Sequence, residues 1–443
     1  MSALAALLAR LRAQLDPAVI VTDPDIIAPH LEEWRGRGQG RTPFMLAPSS
    51  TAEVSMIVGL CRDAGVAITP QGGNTGLVGG QIPQGEILLS LRRMSAIRAI
   101  DPAAEAITVE AGAVLTNVHQ AAAAAGKRFP LSLASQGSAT IGGLISTNAG
   151  GVHVLRFGMM RELVLGIEAV MPDGRIFDGL GSLRKDNTGY DLKQLFIGAE
   201  GSLGVVTAAT LRLFAAPAAH AVAVAAVETA DRALELLQRA RDETGALVAF
   251  EIMNRHGVEL TSQLPNVRAP FNAPWIALLE FESARTDAFS GGIESMLAGA
   301  LEAGVITDAS IAQSEKAASE FWALRELMSA GHRAVRHPQV SHDTSTPVSA
   351  VPQFLRAADA AVERLSPGAR TVAFGHAGDG NIHYTAIAAT PDSPFPAEEI
   401  SLAVHDVAAG LGGSIRQNTV SASSGAQNSH ASRIRSRWRQ CAA

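Results

Sequence analysis

Two histidines and one run of glycines are the residues best suited to chemistry. The stretch Gly375-His376-Ala377-Gly378-Asp379-Gly380-Asn381-Ile382-His383 reads as a hairpin, with residues 372–375 and 382–386 strand-like and Ala-Gly-Asp-Gly turn-like between them. Facing strands can bring His376 and His383 to one divalent ion such as zinc, although two histidines alone make an incomplete site. The same pattern also suits two turn-flanking histidines satisfied by backbone groups. Further upstream, Pro70-Gln71-Gly72-Gly73-Asn74-Thr75-Gly76-Leu77-Val78-Gly79-Gly80 carries five glycines in the nine positions from 72 to 80. Glycine loses too much backbone entropy in a helix or strand for such a run to form either. What it does well is turn tightly and present bare N–H groups as a concave anion site, suited to a pyrophosphate. The run matches neither G-x-G-x-x-G nor G-x-x-x-x-G-K-[ST], so neither of those mechanisms applies.

The elements that must hold these groups follow from the hydrophobic pattern. A helix over 52–64 starts from the serines and threonine at 49–51 and leads into a short apolar run, 66–69, which places the glycine run at a strand end. Residues 87–91 and 107–111 read as strands, and 114–125 as a helix stopped by Gly126. Two further glycine turns follow, Ser135-Gln136-Gly137-Ser138-Ala139-Thr140-Ile141-Gly142-Gly143 and Asn148-Ala149-Gly150-Gly151. Residues 164–171 and 175–177 read as a hairpin around Asp173-Gly174. From His220 onward the glycine turns cease. Strands are expected at 222–227, 247–252, 275–281 and 371–374, with helices at 229–241 and 283–303, an α+β arrangement around an antiparallel sheet. Trp322-Ala323-Leu324-Arg325-Glu326 lies on a further helix, with Phe321 and Leu324 on its apolar face and Glu326 toward solvent.

At 443 residues the chain is long enough for two or three domains with sizeable cores. A net charge of −6 argues against general attraction to nucleic acid, and no run is long and apolar enough to span a bilayer. Leu4, Leu7, Leu8, Leu11 and Leu15 recur at helical spacing, but Arg10 and Arg12 interrupt them, which reads as an amphipathic helix ending near Asp16-Pro17. The two cysteines, Cys61 and Cys441, offer no disulfide framework, and a reducing, cytoplasmic setting is expected.

From Pro43 to Leu213, about 170 residues, the chain resembles the FAD-binding domain of the vanillyl-alcohol oxidase/p-cresol methylhydroxylase superfamily. The resemblance rests on Ala47-Pro48-Ser49-Ser50-Thr51-Ala52-Glu53-Val54, the Gly72 run, Ile107-Thr108-Val109-Glu110-Ala111-Gly112, the stretch from Gly137 to Gly151, and Gly198-Ala199-Glu200-Gly201-Ser202-Leu203-Gly204-Val205-Val206-Thr207. It is most similar to the D-2-hydroxyglutarate and D-lactate dehydrogenase branch. The resemblance implies an α+β fold of four segments: an N-terminal helical segment (1–41), a two-lobed FAD-binding domain (42–217), a substrate or cap domain (218–415) and a tail (416–443). It implies FAD held by Pro70, Gln71, Gly72, Gly73, Asn74, Thr75, Gly76, Leu77, Ser135, Gly137, Ser138, Ile141, Gly142, Gly143, Asn148, Gly150, Gly151, Glu200, Gly201, Gly204, Val205 and Val206. Relatives that attach FAD covalently carry a histidine in the first glycine loop. Asn74 and its neighbours offer no such nucleophile, so non-covalent FAD is expected.

The resemblance further implies His376 and His383 as ligands of a divalent metal, Arg325 as the clamp on a substrate carboxylate, and Ser329 and Asn381 as further substrate contacts. A planar guanidinium suits a carboxylate bidentately. Ser341 stands where the branch often has lysine, which weakens the case for a long dicarboxylate such as 2-hydroxyglutarate. The implied reaction is oxidation of a D-2-hydroxy acid to its 2-keto acid, with electrons passed on to a quinone, a cytochrome or an electron-transfer flavoprotein, by a chain that can form a homodimer. A glycolate-oxidase-like subunit and a flavin-binding protein without turnover are the alternatives.

The chain departs from this branch after Ile415. The branch continues with a segment like Ser-Ala-Glu-His-Gly-Ile-Gly, which supplies a metal-binding glutamate and the general-base histidine, so no catalytic base is retained here. This chain reads Arg416-Gln417-Asn418-Thr419-Val420-Ser421-Ala422 instead. Among the codons that can encode Ile415 to Ala422 is the set ATC-CGG-CAG-AAC-ACG-GTA-TCG-GC. One T inserted after ATC makes them read Ile-Ser-Ala-Glu-His-Gly-Ile-Gly. The same frame permits Asp-Pro-Val-Ala-Leu, another branch segment, from Arg433 to Trp438. A one-base deletion at the Ile415/Arg416 boundary is therefore expected.

Overall fold

The computed structural model describes residues 3–33, 38–77, 79–287 and 289–416. The expected out-of-frame residues from 417 onward lie outside the described residues, as does the connection 34–37. The chain forms two compact units, one from residues 1–153 and 157–216 and the other from 154–156 and 217 onward. Among the described residues no helix is long and apolar enough to cross a membrane.

The first unit has two sheets. In the smaller, strands run in the order Ile20–Val21, Met45–Leu46, Ile87–Ser90, Ile68–Gln71. Ile87–Ser90 is parallel to both of its neighbours, which requires a crossover, and the helix Thr51–Asp63 supplies one. Ser50 starts that helix: its Oγ accepts from the Glu53 N–H at 3.2 Å, and Glu53 Oε2 accepts from the Ser49 N–H at 2.6 Å. The leucines of the N-terminal helix Ala3–Gln14 meet this layer, with Leu7 and Leu11 buried against Leu46, Val54, Ile57, Ile87 and Leu89. Each such side chain contributes about 1.5–3 kcal/mol by leaving water. The second sheet is antiparallel, in the order Ile97–Asp101, Ala106–Glu110, Val205–Arg212, Val164–Val170, Ile176–Gly179. Its hairpin closes through Gly174 at φ 87°, a backbone geometry that favours glycine.

The second unit is built on one eight-stranded antiparallel sheet. The order is Asp308–Ile311, Ala219–Val227, Trp275–Ser283, Leu247–Asn254, Arg370–His376, Asn381–Ile387, Gln339–Ser345, Ser414–Arg416. One face packs on the helices Ala230–Thr244, Phe289–Glu302, Val351–Leu365 and Ala397–Gly410 through Leu236, Phe250, Ile293, Phe354, Ile382 and Tyr384. The other face, carrying Met253, Val372 and Phe374, meets Val258, Leu324 and Met328 from three helices, Arg255–Thr261, Glu315–Glu326 and Met328–Arg333.

Two expectations change here. The helix placed at 283–303 starts only at Phe289, because Ser283 ends the strand Trp275–Ser283 as the partner of Ala219. At helical spacing Ser329 would fall one turn beyond Arg325 on the same helix. The helix Glu315–Glu326 instead ends at Leu327, and Ser329 opens Met328–Arg333. On this second helix Gly331 lies so close to Thr261 that an added Cβ would overlap it.

Candidate functional site

Within the first unit the predicted FAD segments come together. A Cβ on Gly72 would overlap Thr140 Oγ1, and one on Gly73 would overlap the Ser138 carbonyl, so the first two glycine turns touch through bare backbone. Gly201 packs on Pro70, Glu200 reaches toward Gly80, and Gly151 lies on the Ser132 carbonyl. Asn74, Asn148 and Glu200 all adopt positive φ, at 55°, 46° and 51°. Three non-glycine residues so placed within one loop cluster mark a backbone held by its surroundings. Thr140 Oγ1 and Asn74 Oδ1 are buried without a hydrogen-bond partner among the described residues. Unpaired buried polar atoms beside glycine turns that admit no side chain fit a large polar ligand such as FAD.

The individual residues divide by role. Gln71 is spent on the fold: its Nε2 donates to the His30 and Gln81 carbonyls, both at 2.9 Å, and its Oε1 meets His30 Nδ1 at 2.6 Å. Asn74 Nδ2 donates to the Glu32 carbonyl at 2.9 Å. Ser135 caps the second turn by accepting from the Ser138 and Ala139 N–H groups, and Asn148 Oδ1 accepts from the Arg161 N–H at 3.0 Å. Ile141, Val205 and Val206 bury their side chains in the cores, so only their backbone can face a ligand. The Gly142 N–H is taken by the Ala111 carbonyl. Thr75, Gly76, Leu77, Gly137, Gly143, Gly150 and Gly204 lie in or beside the same turns. His30, next to the first loop, was not legible as a neighbour because it comes from 41 residues away.

The second unit gathers the other candidates on one sheet face. His376 stands opposite Asn381, and Phe374 opposite His383, across the strands of the expected hairpin. The histidine rings are 6.0 Å apart, centroid to centroid, at 71°. Asp343, across from His383 on the next strand, has Oδ1 3.5 Å from His383 Nδ1. Asn381 Nδ2 donates to Asp343 Oδ1 at 2.9 Å and to Ser345 Oγ at 3.1 Å. Asn381 is thus committed to its neighbours through its NH2 group. Ser341 Oγ pairs with Thr385 Oγ1 at 2.9 Å.

Arg325 is not a solvated surface charge. It is 8% exposed, its Nε donates to Glu251 Oε2 at 2.5 Å, and its guanidinium lies 4.9 Å from the Phe374 ring centre. Its Nη groups have no hydrogen-bond partner among the described residues. Glu251 is fully buried and places its other oxygen on His376 Nδ1. Burial would raise the Glu251 carboxyl, but Arg325 and His376 together hold it down at about 2. Burial works to lower His376, yet the Glu251 charge and hydrogen bond leave it raised. His383 falls to about 4, burial outweighing Asp343. A neutral imidazole is a metal ligand, and carboxylates on metal-binding histidines orient them. The pair therefore fits a divalent ion, although among the described residues no third histidine, cysteine or carboxylate completes a set with both.

The strand Ser414–Arg416 ends at this site. Ser345 pairs with Ser414, Thr344 with Ile415 and Asp343 with Arg416, so the chain leaves the described structure next to Asp343.

Residues 43–179 match the family described as FAD binding domain, and residues 216–418 the family described as FAD linked oxidases, C-terminal domain. A probable mitochondrial D-2-hydroxyglutarate dehydrogenase of Oryza sativa subsp. japonica is 38% identical over 373 residues, covering 82% of this chain and 66% of the relative. The chain thus spans just under two thirds of that relative's length. The mitochondrial D-2-hydroxyglutarate dehydrogenase of Danio rerio is 35% identical, covering 83% and 69%, and a D-2-hydroxyglutarate–pyruvate transhydrogenase of Saccharomyces cerevisiae is 34% identical, covering 81% and 75%. Among solved structures, an alkyldihydroxyacetonephosphate synthase superposes with TM-score 0.72 at 17% identity, over 93% of this chain and 80% of that one. p-Cresol methylhydroxylase does so with TM-score 0.69 at 15% identity, over 91% and 86%, which establishes the same fold. The chain belongs to the FAD-linked oxidase family that includes the D-2-hydroxyglutarate and D-lactate dehydrogenases.

Proposed function

We propose that this protein is built for FAD-linked oxidation of a D-2-hydroxy acid to the 2-keto acid, and that the chain as it stands is impaired in it. The observation that carries this reading is the buried Arg325–Glu251–His376 cluster beside His383 on one sheet face. Arg325 holds the substrate carboxylate through its Nη groups, and Ser329 lies on the adjoining helix as a further contact. His376 and His383 would hold a divalent ion, zinc being compatible with two imidazoles, and such an ion would polarise the 2-hydroxyl. FAD, when bound without a covalent link in the glycine turns of the first unit, supplies the two-electron acceptor for the Cα–H. Two residues along the strand from Asp343 stands the neutral Ser341–Thr385 pair, which supports a short or uncharged substrate side chain over a second carboxylate. Electrons then pass to a quinone, a cytochrome or an electron-transfer flavoprotein. A reducing compartment suits the protein, cytoplasmic by its cysteine usage, whereas the relatives are named mitochondrial.

The second reading, a flavin-binding protein without turnover, is favoured by the missing Glu-His-Gly-Ile-Gly segment. The strand Ser414–Arg416 supports a one-base deletion as its cause, because it delivers the chain to Asp343 just before the point where a shifted frame would encode the glutamate and histidine. Resequencing the gene tests the deletion, and DNA whose shifted frame lacks Glu-His-Gly-Ile-Gly would refute it. Anaerobic mixing of the FAD-loaded chain, as it stands and with the frame restored, with a panel of D-2-hydroxy acids tests the activity. Flavin reduction in the restored chain alone is the expected outcome.

A further inference from the structure

Glu251 occupies a position that normally excludes a charge. It lies inside the strand Leu247–Asn254, whose residues 247–253 are all buried, and is itself 0% exposed. A buried ion pair is weak evidence for stability, because apolar residues of the same volume often serve as well. What a carboxylate offers here is two acceptor oxygens in one plane. One takes Arg325 Nε at 2.5 Å and the other takes His376 Nδ1, from residues 74 and 125 positions away in sequence. Using Nε leaves both Nη groups of Arg325 at the open end of the planar fork, the pair that meets a carboxylate bidentately. Using Nδ1 fixes one His376 proton there and leaves Nε2 as the nitrogen that carries the lone pair in the neutral ring.

We propose that Glu251 is a positioning residue that aims Arg325 and His376 together, so that the carboxylate-binding and metal-binding halves of the site share one buried anchor. The proposal rests on the roles assigned above to Arg325 and His376. Glu251→Gln has nearly the same shape but one acceptor oxygen, so it can accept from Arg325 Nε or from the Nδ1–H of His376 and not both; an NH2 group turned to His376 moves the imidazole proton to Nε2.

The test uses the full FAD-loaded chain, with oxalate as the anion probe and Zn2+ as the metal probe, each titrated calorimetrically. Glu251→Gln is expected to weaken both probes about ten-fold or more. Adding Arg325→Ala to Glu251→Gln should cause no further loss for oxalate, and adding His376→Ala none for Zn2+, non-additivity that a general structural defect would not produce. Wild-type protein that binds neither probe, or binds both unchanged after Arg325→Ala and His376→Ala, removes the site reading and the proposal with it. Probes that need Arg325 and His376 but bind Glu251→Gln at wild-type strength overturn the role of Glu251 alone. Should Glu251→Gln fail to fold, the wild-type imidazole nitrogen spectrum decides, with the His376 resonance identified by its loss in His376→Ala. A proton on Nδ1 supports the anchor, and a ring protonated only on Nε2 overturns it.

Discussion

Acid should loosen the second unit through His342. This histidine is 4% exposed on the strand Gln339–Ser345, with Nδ1 3.2 Å from the Tyr384 carbonyl and Nε2 3.1 Å from Ser401 Oγ. Nδ1 donates to the carbonyl, so Nε2 accepts from the serine hydroxyl, an arrangement that suits the neutral ring. The His405 ring stands edge-on at 5.3 Å, and both burial and that neighbour push His342 down from 6.5 to about 4. The unfolded chain therefore binds this proton more readily than the folded one. The stability contributed by the neutral ring is fully present above the unfolded value and is lost as pH falls from about 6.5 toward about 4. The whole interval corresponds to about 3 kcal/mol, of which about 2 kcal/mol is lost by about pH 5. His342→Gln keeps one donor and one acceptor but cannot take up the proton. Chemical denaturation at neutral pH and at about pH 5 should show the wild-type unit losing about 2 kcal/mol more than the variant. Equal losses in the two proteins would refute the reasoning.

Three further outcomes follow from the two units. Acid precipitation of the FAD-loaded protein should leave its flavin in the supernatant; colour retained in the pellet would show a covalent link, with His30 beside the first glycine loop the first residue to examine. Gly73→Ala should give folded protein with little flavin per chain, because its Cβ overlaps the Ser138 carbonyl, and full flavin content by absorbance would contradict the cradle. Arg325→Ala in the frame-restored chain should cost roughly 1.5–3 kcal/mol of substrate interaction, a ten- to hundred-fold loss in kcat/KM, and unchanged kinetics would remove its role.

Local chemistry made much of the fold legible. Ser50 with Glu53, Gly126 after its helix and the Asp173-Gly174 turn each act within a few residues, and their elements stand close to where the pattern placed them. The strands at Ala219–Val227, Leu247–Asn254 and Trp275–Ser283 were marked by apolar runs of the right length. What stayed hidden depends on register across a sheet. Glu251 sits in an apolar strand and meets its partners only when Leu247–Asn254 lies beside Arg370–His376. Asp343 becomes the neighbour of His383 only through the pairing of Gln339–Ser345 with Asn381–Ile387. The packing of Gly331 on Thr261 joins residues 70 apart in sequence, a contact that no local signal encodes. The glycine turns were recognised as a group, but the use of Gln71 as a staple between His30 and Gln81 shows that a residue within such a turn can serve the backbone and leave the ligand to its neighbours.

The most direct measurement is anaerobic flavin reduction by the frame-restored, FAD-loaded protein, using D- and L-enantiomers of short 2-hydroxy acids together with D-2-hydroxyglutarate. The expected result is bleaching by a D-enantiomer, fastest where the side chain is short or uncharged, and abolished by His376→Ala with His383→Ala. Flavin that stays oxidised with every 2-hydroxy acid, in a protein shown to hold its FAD, would contradict the assignment.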